Sequence, residues 1–302
     1  MGQINMKPSK VVSRIIGGLG NQLFCYAAAR RLALINNADL VLDEVSGFVR
    51  DHTYQRGYQL DHFNICGRKA TSVERLEPLP RLRRYFKRSL SRKLSFEARS
   101  YIQQEGLDFD PRLLSIKPNG TLYLEGYWQS EQYFKDVEPT IREDLRIKPP
   151  ADAINQALAE RIRSCQSVAI HVRFFDSPQE VGGYNTPFDY YARAVTKMET
   201  IAPGAHYFIF SDKPAAALTL IPLPADRITL VSHNEGDENA YADLWLMVQC
   251  QHFIIANSTF SWWGGWLAER SGKQIIAPGY QIPDGKTAWG FKGLLPAEWL
   301  KF

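Results

Sequence analysis

The second half of the sequence alternates short apolar segments with longer segments of helical periodicity. Strands are predicted at 167–172, 207–210, 228–231, 253–256 and 274–277. Helices are predicted at 151–163, 187–201, 213–220, 239–250 and 261–270. Short apolar strands separated by helices are typical of a parallel sheet that is covered on both faces. This half therefore predicts a Rossmann-like α/β domain.

The first half opens with a similar βαβ pattern but then becomes less regular. The predicted elements are strands at 11–16, 40–42 and 121–124, a helix at 21–36 and a second helix beginning near Ser130. Between the early and late elements, residues 45–75 mix aromatic and polar residues with little periodicity. We therefore expect a looser domain of the same α/β class.

The segment Lys148-Pro149-Pro150 is the predicted domain boundary. Two prolines directly after the amphipathic stretch 137–147 stop a helix and form a stiff spacer. The predicted domains are residues 1–148 and 151–302, each of ordinary domain size.

The composition is that of a globular protein. Of the 302 residues, 45% are hydrophobic and 23% are charged, which excludes the disordered and fibrous classes. The net charge of +4 is too small to indicate nucleic-acid binding. No segment approaches the roughly 18 apolar residues of a spanning helix, and MGQINMKPSK lacks the apolar core of a signal peptide. The four cysteines have no paired or metal-like spacing, so we expect a cytoplasmic protein with reduced thiols and no metal site.

Residues 81–99, RLRRYFKRSLSRKLSFEAR, form a strongly basic segment with apolar residues at helix-compatible positions. These apolar residues are Leu82, Tyr85, Phe86, Leu90 and Leu94. One interpretation is a solvated helix face. The other is contact with anionic lipid or with an acidic glycan.

The segment 257–267, NSTFSWWGGWL, follows a buried strand and begins a helix. The first N–H groups of a helix have no internal partners and lie at its positive end, so they favour anions. Together with the hydroxyls of Ser258 and Thr259 they predict an anion site. The alternative is an ordinary N-cap on a core helix. The spacing of Trp262, Trp263 and Trp266 favours one buried face over a sugar platform.

Two further loops are predicted at the same edge of the sheet, where ligands of such sheets bind. One is His171-Val172-Arg173-Phe174-Phe175-Asp176, and the other is Ser211-Asp212. Arginine offers a permanently charged fork that fits a phosphate, and an aspartate binds hydroxyls or ring N–H groups. The three loops together predict a site for a nucleoside diphosphate. The alternatives are an Arg173 that pairs with Asp176 at the surface and a His171 that belongs to the core.

Two segments of the first half are candidates for ligand contact. The turn Gly17-Gly18-Leu19-Gly20 is not a dinucleotide fingerprint, but it predicts close backbone approach and positive φ angles, with Asn21 and Gln22 facing a ligand. At the end of the 121–124 strand, Tyr127, Trp128 and Gln129 are placed to stack on a sugar and to bind its hydroxyls. The alternative for Trp128 is packing in the domain core.

Five motifs, in order and spread over residues 11–270, carry a family resemblance. They are GGLGNQLF with CYAAAR, EGYWQS, HVR-x-x-D, YFIFSD and NSTFSWWGGWL. Through these five motifs the chain resembles the bacterial α-1,2-fucosyltransferases. The resemblance implies a GT-B fold with two Rossmann-like domains facing a cleft, the first on the acceptor side and the second binding the donor. It also implies inverting, metal-independent transfer of L-fucose from GDP-fucose to the 2-hydroxyl of a galactoside, with no cofactor.

The resemblance also assigns residue roles. Arg173 would contact the donor pyrophosphate and stabilise the departing GDP, and His171 would lie near the guanosine. The implied GDP-fucose contacts are completed by Gly18, Gly20, Asn21, Ser211, Asp212, Asn257, Ser258, Thr259 and Phe260. Of these, Asn21 would lie near the donor sugar and is also a catalytic candidate. Tyr127, Trp128 and Gln129 are expected to contact the acceptor.

Two features concern catalysis. The family usually has His-x-Arg-Arg-x-Asp, whereas Phe174 and Phe175 follow Arg173 here, so a second positive charge is missing. We expect the two phenylalanines to be packing residues or part of a changed wall of the acceptor cleft.

Candidates for the base that activates the acceptor are Asp176 and Glu180. Glu180 lies in the glycine-containing loop 177–187, and this loop is expected to close over the substrate. Asp176 is alternatively expected to orient Arg173.

The expected partners are GDP-fucose and either a galactose-terminated glycan or a lipid-linked oligosaccharide, without nucleic acid. Through residues 81–99 the protein is expected at the inner face of the membrane as a peripheral protein. Two alternatives stay open at this point. One is an enzyme for another GDP-sugar or a protein O-fucosyltransferase, and the other is an inactive glycan- or nucleotide-binding homologue.

Overall fold

The computed structural model describes residues 9–52, 54–180 and 183–302. The chain divides into two compact units, Met1–Arg146 and Ile147–Phe302, so the first unit ends just before the Lys148-Pro149-Pro150 segment. Each unit contains its own sheet, and every strand pair in both sheets is parallel. The predicted α/β class is therefore confirmed for both halves.

Unit 1 is a five-stranded sheet with strand order β3-β2-β1-β5-β4. Its strands are β1 Lys10–Arg14, β2 Asp39–Asp43, β3 Arg68–Lys69, β4 Tyr101–Gln103 and β5 Thr121–Glu125. Its helices are α1 Leu19–Ile35, α2 Pro80–Ser91 and α3 Glu138–Asp144. The opening βαβ unit is confirmed. The helix predicted from Ser130 is wrong, because Glu131–Tyr133 forms only a 3₁₀ turn.

Unit 2 is a six-stranded sheet with strand order β11-β10-β9-β6-β7-β8. Its strands are β6 Ser167–Val172, β7 His206–Ser211, β8 Ile228–Val231, β9 His252–Ile254, β10 Ile275–Ala277 and β11 Leu300–Lys301. Its helices are α4 Ala153–Arg163, α5 Phe188–Ile201, α6 Pro214–Leu218, α7 Ala240–Met247 and α8 Thr259–Leu267. All five predicted strands are present, and β11, with only two residues, was not predicted.

The strand order of unit 2 reverses at its centre. From β6 the chain adds β7 and β8 on one side and then returns to place β9 on the other side of β6. In open parallel sheets, ligands bind at such a reversal, outside the carboxyl ends of the strands.

Helix α8, which follows β9 at this reversal, is fixed by its aromatic side chains. Trp262 and Trp263 are fully buried and Trp266 is nearly so. Trp262 stacks on Trp266, and its Nε1 donates a hydrogen bond of 2.8 Å to the carbonyl oxygen of Leu294. The prediction that these tryptophans form core, and not a sugar platform, is confirmed.

Candidate functional site

The three predicted loops of unit 2 lie side by side. In the sheet β6 is flanked by β9 and β7, with Ile170 opposite Ile254 and Val172 opposite Ser211. The segments that follow these strands therefore leave from the same edge. They carry Arg173, Asp212 and the start of α8.

Arg173 is held by a neighbour different from the predicted one. Its guanidinium lies 3.2 Å from the carboxylate of Asp212 and 5.5 Å from the ring centroid of Phe175. Asp212 also accepts a hydrogen bond of 3.1 Å from the backbone N–H of Phe174. The interpretation that Asp176 pairs with Arg173 is wrong. The assignment of Asp212 to the nucleoside stays a prediction, and its carboxylate also orients Arg173.

The two phenylalanines after Arg173 have separate structural roles. Phe174 is 6% exposed and packs in the core of unit 2 with Tyr190 and Tyr191, which confirms the packing interpretation for this residue. Phe175 lies beneath the guanidinium, where an aromatic face attracts a cation. The Arg173 side chain is about a quarter exposed (27%), so it remains accessible to a ligand although Asp212 fixes its position.

Asp176 is engaged in a buried structural contact. Its side chain is only 2% exposed; it is paired with the ammonium of Lys286 and accepts a hydrogen bond of 2.6 Å from the N–H of Tyr184. The Lys286 ammonium and the Tyr184 N–H hold the pKa of Asp176 below its usual range. A buried carboxylate that is already bonded twice is a poor proton acceptor. The prediction that Asp176 is the catalytic base is therefore corrected.

Glu180 is the exposed carboxylate of the same loop. Two residues of the predicted closing loop 177–187, Val181 and Gly182, lie outside the described residues. The role of Glu180 as a base stays a prediction.

His171, near the carboxyl end of β6, has a buried ring nitrogen without a hydrogen-bond partner among the described residues. Its ring is 5% exposed and lies 5.3 Å from the ring of Phe260, centroid to centroid. Nδ1 is buried and has no hydrogen-bond partner among the described residues. Burial, and secondly the charge of Arg173, lower the pKa of His171 to about 3, so the imidazole is neutral. A buried nitrogen without a hydrogen-bond partner lowers the free energy of unfolding by about 1–3 kcal/mol, and a ligand that hydrogen-bonds to it would recover this loss.

The start of α8 is not an ordinary N-cap. Ser258 occupies the cap position, but its side chain makes no capping hydrogen bond. The first α-helical bond runs from the N–H of Trp262 to the carbonyl oxygen of Ser258, at 3.0 Å. The N–H groups of the turn before Trp262 therefore precede the first α-helical bond and lie at the positive end of the helix.

Two other predicted contact residues of unit 2 act within the fold. Asn257 is fully buried; its Nδ2 donates to the carbonyl oxygen of Tyr184 at 2.9 Å, and its Oδ1 accepts from Thr186 Oγ1 at 2.9 Å. Its assignment as a direct ligand contact is corrected, because it fixes the end of the 177–187 loop. Ser211 Oγ accepts from the N–H of Lys213 at 3.0 Å and closes the turn after β7.

In unit 1 the glycine turn leads directly into α1. Gly17 has φ +77, as expected for this turn, whereas Gly18 is the extended N-cap of α1 and Gly20 is helical. Asn21 Oδ1 accepts a hydrogen bond of 2.7 Å from Gln129 Nε2. Gln22 is buried and donates to the carbonyl oxygens of Gly17 and Gly57, so the expectation that it faces a ligand is wrong.

Trp128 is buried by an unusual backbone conformation. It has φ +56, and Gln104 Oε1 accepts from the N–H groups of both Tyr127 and Trp128, at 2.8 and 3.0 Å. The indole is 2% exposed and packs edge-on against Tyr133. The prediction that Trp128 stacks on a sugar is corrected. A left-handed non-glycine residue costs about 1–3 kcal/mol, and this turn presents Gln129 to Asn21.

Three residues of these sites were not predicted. Lys286 balances Asp176, Gln104 fixes the Tyr127–Trp128 turn, and Arg56 lies against Gly18 with its guanidinium 4.1 Å from the ring centroid of Tyr54. All three lie outside the predicted helices and strands, and no sequence signal identified them. Within residues 9–52, 54–180 and 183–302, no group of three or more His, Cys, Asp or Glu side chains is arranged to hold a metal ion.

Known glycosyltransferases are similar to this chain over most of its length. A family model described as glycosyl transferase family 11 matches residues 85–288. An alpha-1,2-colitosyltransferase of Escherichia coli is 30% identical over 281 residues, which covers 89% of this chain and 91% of the relative. The O-antigen biosynthesis glycosyltransferase WbnK of Escherichia coli is 26% identical over 286 residues, which covers 88% and 93%.

Solved structures agree with the fold. A crystal structure of NodZ alpha-1,6-fucosyltransferase soaked with GDP-fucose aligns with a TM-score of 0.55 at 16% identity, covering 90% of this chain and 95% of the other. Arabidopsis thaliana FUT1 in complex with GDP aligns with a TM-score of 0.54 at 13% identity, covering 96% and 75%. At these identities the likeness supports the two-sheet α/β fold alone.

Proposed function

The chain belongs to glycosyl transferase family 11, and from this membership we propose that it transfers L-fucose from GDP-fucose to the 2-hydroxyl of a galactoside, with inversion and without a metal ion. The observation that carries the proposal lies in unit 2. Arg173, oriented by Asp212 and Phe175, leaves the sheet beside the positive end of α8, where the Ser258 side chain makes no capping hydrogen bond. Permanent positive charge and helix N–H groups at one strand edge suit a diphosphate.

The donor would be held mainly by groups that change little when it binds. The guanidinium of Arg173 is already fixed by Asp212, and the N–H groups of α8 are fixed by the buried tryptophans. The unpartnered Nδ1 of His171 would meet a polar group of the nucleoside. The structure of NodZ soaked with GDP-fucose and that of a FUT1 mutant in complex with GDP support GDP as the nucleotide.

The same groups would stabilise the reaction. As the bond from the sugar C1 to the β-phosphate oxygen breaks, negative charge collects on GDP. A fixed positive field is most effective at that moment, because it interacts more strongly with the transition state than with the bound donor. The acceptor hydroxyl attacks C1 from the opposite face and gives its proton to a base. Glu180 is the remaining carboxylate candidate in the loop after β6.

The acceptor would use unit 1. Asn21, at the start of α1, and Gln129 form a hydrogen-bonded amide pair, and Tyr127 lies two residues before Gln129 in the sequence. Amide pairs of this kind bind sugar hydroxyls as both donors and acceptors. We propose a galactose-terminated glycan or lipid-linked oligosaccharide, a choice supported by the role of the relative WbnK in O-antigen biosynthesis.

A second donor is favoured by one comparison. The relative that is 30% identical is a colitosyltransferase, and colitose is L-fucose without its 3-hydroxyl. The GDP part of the site would serve both donors equally. Discrimination would depend on whether a buried polar group meets the 3-hydroxyl, because leaving such a group unpaired is costly.

The test is a transfer assay with GDP-fucose and GDP-colitose against a panel of galactosides, with the product linkage determined by NMR. We expect an α-1,2 product, and Arg173→Ala should lower turnover by at least about 10²-fold, as for loss of one transition-state electrostatic contact. The matched control is Arg193→Ala, which removes an exposed arginine paired with Asp189 on α5 and should change nothing. Wild-type turnover in Arg173→Ala would reject the proposed role.

A further inference from the structure

Helix α2 packs against its sheet with polar residues. Arg84 is 9% exposed, and its guanidinium lies 3.6 Å from the carboxylate of Asp43 at the end of β2. One turn later, Arg88 donates a hydrogen bond of 3.0 Å to Gln103 Oε1. Ser91 is buried and accepts from the N–H of Tyr101 at 3.0 Å. The inward face of this helix is therefore charged and polar.

The outward face of α2 is apolar. Leu82, Tyr85, Phe86 and Leu90 are each about half exposed or more, at 49–63%. With 3.6 residues per turn, these four side chains lie within an arc of about 140°. Leu79 before the helix and Leu94 after it are also exposed, at 66% and 49%. Contiguous exposed apolar groups of this kind mark an interaction surface, because leaving them in water is unfavourable.

Positive charge surrounds this apolar face. Residues 78–96 contain no Asp or Glu and seven basic residues. They are Arg81, Arg83, Arg84, Lys87, Arg88, Arg92 and Lys93. Arg84 and Arg88 are turned to the acids of the sheet, whereas Arg81, Arg83, Arg92 and Lys93 are exposed. The exposed surface is therefore apolar along the helix and cationic at its borders.

We propose that the outward face of α2, from Leu79 to Leu94, binds to the surface of an anionic lipid bilayer. An apolar strip with flanking Arg and Lys is the pattern that enters the headgroup region, where the aliphatic and aromatic groups reach the acyl chains and the cations meet lipid phosphates. A second copy of the chain is a poor occupant, because it would bring two cationic surfaces together.

This attachment would be peripheral. Within the part of the chain that the structure describes, no helix combines the length and apolarity that crossing a bilayer requires. The proposal does not rest on the proposed function, since it needs only the exposed face of α2. The two become related if the acceptor is lipid-linked.

The experiment is sedimentation of the full chain with vesicles of phosphatidylcholine alone or of phosphatidylcholine with phosphatidylglycerol. We expect binding to the anionic vesicles, weak binding to the neutral ones, and loss of binding as salt is raised. The double variant Leu82→Ser/Phe86→Ser should bind at least about tenfold more weakly. The matched control is Ile154→Ser, a change of a 62% exposed apolar residue on α4, and should bind like wild type.

Thermal unfolding of the variants, and their transfer activity with a soluble galactoside, separates this proposal from the proposed function. Both should match wild type, because these side chains are exposed and lie outside the candidate site. Wild-type protein that stays in the supernatant with anionic vesicles would overturn the proposal, as would equal loss of binding in Ile154→Ser. Equal binding to neutral and anionic vesicles would also contradict it.

Discussion

Helices α8 and α2 both carry runs of aromatic residues, and they turn them in opposite directions. α8 buries Trp262, Trp263 and Trp266, whereas α2 leaves Tyr85 and Phe86 more than half exposed. Helical periodicity alone would bury the apolar stripe in both cases. The sequence pattern of a helix therefore does not determine which of its faces meets the sheet.

The two helices differ because the side chains that face them in each unit differ in polarity. In unit 1, Asp43 is 3% exposed at the end of β2, and a buried carboxylate needs a cation. Arg84 supplies that cation from α2, and Arg88 approaches Glu125 at 4.0 Å in the same way. With its arginines turned inward, α2 must place its apolar residues outward. In unit 2 the residues under α8 are apolar, so the tryptophans are buried.

The contrast between the two helices is tested most strongly by removing one large apolar side chain from each. Trp262→Ala should lower the free energy of unfolding by about 3–5 kcal/mol, because it empties a fully buried site and frees the carbonyl oxygen of Leu294. Leu82→Ala should stay within about 0.5 kcal/mol of wild type, because Leu82 is half exposed. Urea unfolding measures both. A similar loss in the two variants would show that α2 is packed apolar side inward.

A second effect concerns the chemistry at the start of α8. Asp212→Asn should lower turnover about tenfold, the scale of one hydrogen bond to a charged group, because the amide holds Arg173 less firmly. The change should be silent in an Arg173→Ala background, since it acts through that guanidinium. Initial rates of the two single variants and the double variant measure this. Additive losses would mean that Asp212 contacts the substrate itself.

A third effect is the pH dependence of stability that comes from Asp243, a half-buried acid whose hydrogen-bond donor is an amide and not an arginine. Burial raises the pKa of Asp243 on α7 to about 7, with Asn234 as its hydrogen-bond donor at 2.9 Å. A carboxyl whose pKa is raised on folding contributes stability at low pH, and that contribution is lost as pH rises toward and through 7. The free energy of unfolding of Asp243→Asn, relative to wild type, should therefore increase as pH rises. The slope of this increase corresponds to the release of at most one proton per molecule. Urea unfolding at pH 5 and at pH 8 tests the sign. A difference that is constant with pH would contradict it.

The backbone of unit 2 was predictable because each strand is a short apolar run with a helical segment on either side. β6 and β8 match their predicted bounds for this reason. Strands of two residues, such as β3 and β11, carry too little pattern to be seen. The convergence of three loops also followed from the sequence, because parallel strands end at one edge.

Side-chain pairing across those loops was not predictable. Nothing in HVRFFD tells which carboxylate reaches Arg173, and Asp176, nearest in sequence, pairs with Lys286 instead. Trp128 was misplaced because its φ of +56 turns the indole into the core, and no local signal marks that conformation in a tryptophan. These contacts depend on tertiary geometry and not on spacing.

Arg173 and the start of α8 are proposed to bind one diphosphate, and a crystal structure of the protein with GDP would test this. We expect pyrophosphate oxygens within about 3.2 Å of the Arg173 guanidinium and of backbone nitrogens in the first turn of α8. GDP bound instead at the glycine turn of unit 1, with Arg173 contacting only Asp212 and Phe175, would contradict it.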